Sequence, residues 1–139
     1  MTFRLMLRLS ALSLTLAMND PLAAQDSSER GAKVCILSAS VVSIRVVDAA
    51  GQGVPNATVA MTRVRDSASL GLATEMQKGS GEFALFESDA LRWALPKGDT
   101  IRLQVTAGKR QRTSTIVIGP DPSGCRIVQF SGDAIIALK

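Results

Sequence analysis

Glu82, Glu87 and Asp89 stand within a stretch of eight residues. Two carboxyls held at a fixed separation can divide acid and base work between them, as in glycoside hydrolysis. Two such groups in a pocket would make the chain a small secreted hydrolase, and that is one reading of this stretch. The opposite reading is that these are solvated charges on an outer face, where Asp and Glu usually lie. The rest of the composition favours the second reading. The chain has no His and no Tyr, one Trp and four Phe. It therefore lacks the commonest general base, cannot build a His-containing triad or a His-ligated metal site, and has few aromatic rings for a sugar cleft. The residues assign no cofactor and no metal, and non-catalytic action is the expectation.

Two other places could bind. Trp93 beside Arg92 would anchor a partner if exposed on a loop, and would cap one end of the fold if packed. Lys109-Arg110-Gln111-Arg112 reads as a basic hairpin tip that could meet an anionic surface; the alternative is a solvated turn. No aromatic residue flanks it for base stacking, so nucleic acid is not an expected partner. Gly79-Ser80-Gly81 has no following Lys and is not a phosphate loop. Asn56-Ala57-Thr58 is a glycosylation sequon, yet the turn context alone accounts for Asn56. Cys35 and Cys125 are the only cysteines. Their spacing is far from CxxC, so a structural disulfide is expected rather than a redox pair, stapling the first strand region to the last.

A disulfide needs an oxidising compartment, and the N-terminus supplies an address. Arg4 and Arg8 precede an apolar run from Leu9 to Met18, followed by Pro21-Leu22-Ala23-Ala24. This is the pattern of a signal peptide cleaved after Ala24, and the run is shorter than the roughly 20 residues of a membrane span. Residues 1–24 are read as signal peptide, 25–34 as a flexible segment and 35–139 as one domain, secreted or periplasmic, without a transmembrane segment in the mature part. The whole sequence carries 16 basic and 12 acidic residues, net +4; losing Arg4, Arg8 and Asp20 leaves net +3, too mild for a nucleic-acid footprint.

The elements that position these residues follow from period-two alternation. Strands are expected over 41–47, 57–64, 72–76 (where Ala73 breaks the alternation, an edge strand and one candidate for strand addition by a partner), 82–86, 100–106, 112–118, 125–130 and 134–138. Asp66 to Gly71 is expected as a connection, and Gly119 to Gly124 as a rigid loop. Ser88 to Leu95 is expected as one helical turn, capped by Ser88 or Asp89. Seven or eight short strands at intervals near ten residues make an all-β, two-sheet, immunoglobulin-like sandwich.

Ile44-Arg-Val-Val-Asp48-Ala-Ala-Gly51-Gln-Gly-Val-Pro55-Asn56-Ala57-Thr58-Val59 resembles the opening of the carboxypeptidase regulatory-like domains, which are transthyretin-like β-sandwiches. Gly79-Ser80-Gly81-Glu82-Phe83 and Leu95-Pro96-Lys97-Gly98-Asp99 match later elements of that family in order, so the resemblance spans about residues 40 to 110. The stretch Glu87 to Ala94 is longer than the family's, Thr100-Ile101 stands where an aromatic residue is common, and the Cys pair is not general to it. The resemblance implies an accessory, folding or adhesion module with an unidentified protein or envelope component as partner. The His-dependent hydrolysis of 5-hydroxyisourate by transthyretin-like relatives does not carry over to a chain without His.

Overall fold

The computed structural model describes Cys35 and residues 40–139. The expected signal peptide (1–24) and flexible segment (25–34) lie outside the described residues. Among the described residues nine strands form two sheets. They are β1 (Val42–Val47), β2 (Thr58–Arg63), β3 (Ala68–Leu72), β4 (Thr74–Glu75), β5 (Glu82–Phe86), β6 (Asp99–Ala107), β7 (Arg110–Pro120), β8 (Ile127–Gly132) and β9 (Ile135–Ala137). One sheet runs β4-β5-β1-β9 and the other β3-β2-β6-β7-β8. The only helix among the described residues is a 3-10 turn, Ser88–Arg92. The all-β expectation therefore holds, with nine strands in place of seven or eight.

Alternation explains the core. Val42, Ile44 and Val46 of β1, Val59 and Met61 of β2, and Ile101, Leu103 and Val105 of β6 are all buried. Phe83 and Leu85 of β5, Ile116 and Ile118 of β7, Ile127 and Ile136 complete the layer between the sheets. Burying each such side chain stabilises the fold by about 1.5–3 kcal/mol. The longest ladder joins β6 to β7 from Asp99↔Ile118 to Ala107↔Arg110. Gly108, at φ 60, opens its two-residue turn, a position where the hairpin geometry favours glycine.

The turn chemistry read from the sequence after β1 is present. Asp48 Oδ1 accepts from the N–H groups of Ala50 (2.8 Å) and Gln52 (3.0 Å), and Asn56 takes a left-handed φ of 58.

Other expectations are corrected. Residues 68–71, expected as connection, belong to β3, because Asp66 and Ser67 close a tight hairpin and Ser67 takes φ 56. The expected strand 72–76 is divided: Leu72 ends β3 in one sheet, and Thr74 begins β4 in the other. Gly71, at φ 89, lies beside a register shift against β2 and bends the chain there. The helical turn ends at Arg92, and neither Ser88 nor Asp89 caps it; Glu87 holds the N-cap position without a side-chain hydrogen bond. Gly119 and Pro120, expected in a loop, extend β7.

Cys35 and Cys125 are bonded, with Cα atoms 5.3 Å apart across 90 positions of sequence. Cys125 lies between β7 and β8, so the bond clasps the segment before β1 to the β7–β8 turn rather than to the last strand. Asp121 builds that turn. Its Oδ1 accepts from Cys125 N–H (3.1 Å) and Arg126 N–H (3.2 Å), and both its oxygens accept from the Ser123 hydroxyl. The Ser123 hydroxyl foremost, with the N–H groups of Arg126 and Cys125, holds the Asp121 carboxyl below the usual carboxylate range.

Candidate functional site

The switch at Ala73 opens the side of the molecule. β4 is two residues long and meets only Phe83 and Ala84, so among the described residues no strand lies beside Leu85 and Phe86 on that side. A groove of about 470 Å³ fills the space. Phe86, Leu85 and Trp93 line it together with Leu70, Leu72 and Met76 of the switching strand. Leu72 and Met76 are 64% and 54% exposed, high for large apolar side chains. Glu75, Glu87 and Asp89 also line the groove.

The 3-10 turn places Trp93, and polar contacts fix it. The Trp93 ring meets Phe86 edge-on, with centroids 5.7 Å apart and planes at 75°. The Arg63 guanidinium lies 5.2 Å from the Trp93 centroid, a cation–π distance. Arg63 is oriented by Asp66, with an Nη2–Oδ2 separation of 2.6 Å and further bonds from Nε. The Trp93 carbonyl accepts from Arg65 Nη2 (3.2 Å), while Arg65 Nε lies 3.3 Å from Asp99 Oδ1. Asp99 is buried, and its Oδ2 accepts from Leu95 N–H (3.2 Å). Asp99 and Arg65 thus tie the segment after the 3-10 turn to β6 and to the β2–β3 turn.

Two expected results follow from this frame. Replacing Asp99 with Ala removes the acceptor of Leu95 N–H and the partner of Arg65, which lowers unfolding free energy by about 1–3 kcal/mol. Urea titration followed by Trp93 emission measures both that loss and the loosening of the ring. The second concerns pH. Hydrogen bonds from Arg63 foremost, with Ala68 N–H, lower the Asp66 carboxyl to about 2. A carboxyl depressed in the folded state contributes stability that is present above its unfolded value, about 3.9, and is lost as pH falls towards the folded value. Acid titration from pH 5 to 2 therefore weakens the native protein more than an Asp66→Asn variant.

The sequence candidates separate in space. Trp93, Glu87 and Asp89 share the groove, with Trp93 half-buried in its wall and the two carboxylates exposed. Glu82 is exposed but does not line it; it sits opposite Arg45 of β1. Arg92 is exposed and is not among the groove residues. Lys109 and Arg110 are exposed at the β6–β7 turn, whereas Arg112 reaches across to the other sheet and donates to the Ala137 carbonyl at 2.8 Å. The basic cluster is thus split, with only its first two cations at the turn itself. Leu70 is a groove residue that the sequence does not mark, whereas Glu75 and Met76 fall in the 72–76 stretch, expected as an edge strand open to strand addition. The break in alternation at Ala73 is the one signal that marks their place.

Among the described residues no helix is long and apolar enough to cross a membrane. No family model, no curated protein and no solved structure matches the chain.

Proposed function

We propose that the chain is an exported, non-catalytic β-sandwich module, of the carboxypeptidase regulatory-like and transthyretin-like kind, that binds a partner in the cell envelope or extracellular space. The groove at the sheet switch carries this reading: apolar side chains remain exposed around Phe86 and Trp93 instead of closing into the core. The disulfide and the signal-like residues 1–24 support export. The Asp48 turn and the following Asn56 support the family resemblance. The exposure of Glu82, Glu87 and Asp89, with Glu82 outside the groove, favours binding over a carboxylate hydrolase. The engagement of Arg112 with Ala137 leaves the β6–β7 turn the weaker candidate for an anionic surface.

The test is affinity capture from the native envelope with the tagged full chain, its Leu72→Asp variant and a Lys109→Ser/Arg110→Ser variant. Saturable capture by the first and third, lost with Leu72→Asp, is the expected result. Capture that follows the basic pair instead would overturn the reading.

A further inference from the structure

We propose that the groove takes an extended, apolar segment of a different protein, flanked by Lys or Arg, which adds as a strand along the open edge of β3. This names the partner chemistry of the binding-module reading and rests on it.

Backbone direction is the first argument. Gly71 lies opposite Met61, and Ala73 N–H donates to the Val59 carbonyl at 2.8 Å, so both residues turn their polar groups towards β2. Successive residues of a strand point these groups to opposite sides. Leu72, between them, therefore turns its N–H and C=O outward. β3 is the edge of its sheet, so among the described residues no other strand takes them. Edge strands are commonly guarded by charge or proline. Ala68-Ser69-Leu70-Gly71-Leu72 has neither. Side chains of an added strand would alternate between solvent and the groove, where Leu70, Phe86 and Trp93 supply apolar contact.

Charge selects the occupant. Among the described residues the groove is lined by Glu75, Glu87 and Asp89 and by no Lys or Arg, in a chain whose net charge is +4. Glu75 commits Oε1 to the N–H groups of Gly79 and Gly81. Glu87 and Asp89 are exposed and form no ion pair among the described residues. The cations that touch Trp93, Arg63 and Arg65, are already bound by Asp66 and Asp99. A second copy of this chain pairing edge to edge is disfavoured, since Ala68–Leu72 carries no charge and the arginines before it, Arg63 and Arg65, are held by Asp66 and Asp99. A basic flank on an apolar segment answers both the open edge and the unanswered charge.

The probe is a displayed library of random dodecapeptides, selected on the immobilised full chain. The expected winners show apolar residues at period two with Lys or Arg beside them. Their binding should fall at least tenfold with Leu72→Asp, with Glu87→Lys/Asp89→Lys, and on N-methylation of the peptide's outward-pairing amides. Leu72 is largely exposed, so its variant is expected to fold, as Trp93 emission will check. Winners that need Leu72 but are acidic, or that tolerate N-methylation, overturn the basic strand and leave the binding-module reading standing. Winners indifferent to Leu72→Asp overturn both. Failure to enrich any peptide counts against the strand.

Discussion

Reduction of the Cys35–Cys125 bond is expected to lower the free energy of unfolding by about 4–5 kcal/mol. The bond closes 90 positions of sequence, and the entropy withheld from the unfolded chain grows with the logarithm of loop length. The effect is large because of what is clasped. One cysteine precedes β1 of the first sheet, and the other ends the turn into β8 of the second. The Asp121 hydrogen bonds hold the second cysteine's backbone in place in the folded state. For a domain of this size the urea slope is about 1–2 kcal/mol per molar, so the midpoint should fall by roughly 2–5 M on reduction. A Cys35→Ser/Cys125→Ser variant should match the reduced protein with or without reductant. A shift below about 0.5 M would mean that loop closure contributes little here.

Replacing Gly81 with Ala is expected to cost about 2–5 kcal/mol, far more than the same change at Gly79. Both glycines have positive φ, +72 and +80, so both substitutions carry the penalty of a left-handed backbone. They differ in space. A Cβ on Gly79 would meet nothing within 4 Å among the described residues. A Cβ on Gly81 would collide with the Val46 carbonyl oxygen and lie 2.9 Å from both Gly53 Cα and Val54 N. Those are backbone atoms that cannot turn aside, since Val46 N–H donates to the Gly81 carbonyl and Val54 N–H to the Val46 carbonyl. The contact joins the β1–β2 loop to the β4–β5 turn, whose Gly81 N–H also binds Glu75. Thermal unfolding of the two variants side by side tests this. Equal losses would show that backbone conformation, not close approach, sets the cost.

Much of the architecture is legible in residue order. Ile101, Leu103 and Val105 announce β6 because one face is buried and the other wet, and Asp48 announces its turn through a side chain that reaches two residues ahead. The candidate site is legible only in fragments. Trp93, Glu87 and Asp89 stand out by type, but what gathers them is a strand that leaves one sheet after Leu72 and joins the other at Thr74. Alternation records which face a residue points to, not which sheet it belongs to, so a change of sheet shows only as a missed beat at Ala73. Ala68 to Gly71 escaped because Gly and Ala are poor strand formers, held here by pairing with β2. Arg112 escaped for a related reason: its partner, Ala137, lies in the facing sheet.

Partners are proposed to meet the molecule at the sheet switch. A photo-crosslinking amino acid placed at Leu72, and in a separate protein at Gln104 on the exposed face of β6, tests it in the native compartment of the full chain. The expected result is a discrete adduct from position 72, abolished when Glu87 and Asp89 are changed to Lys, and none from position 104. Adducts of equal yield from both positions, or none from position 72, would contradict it.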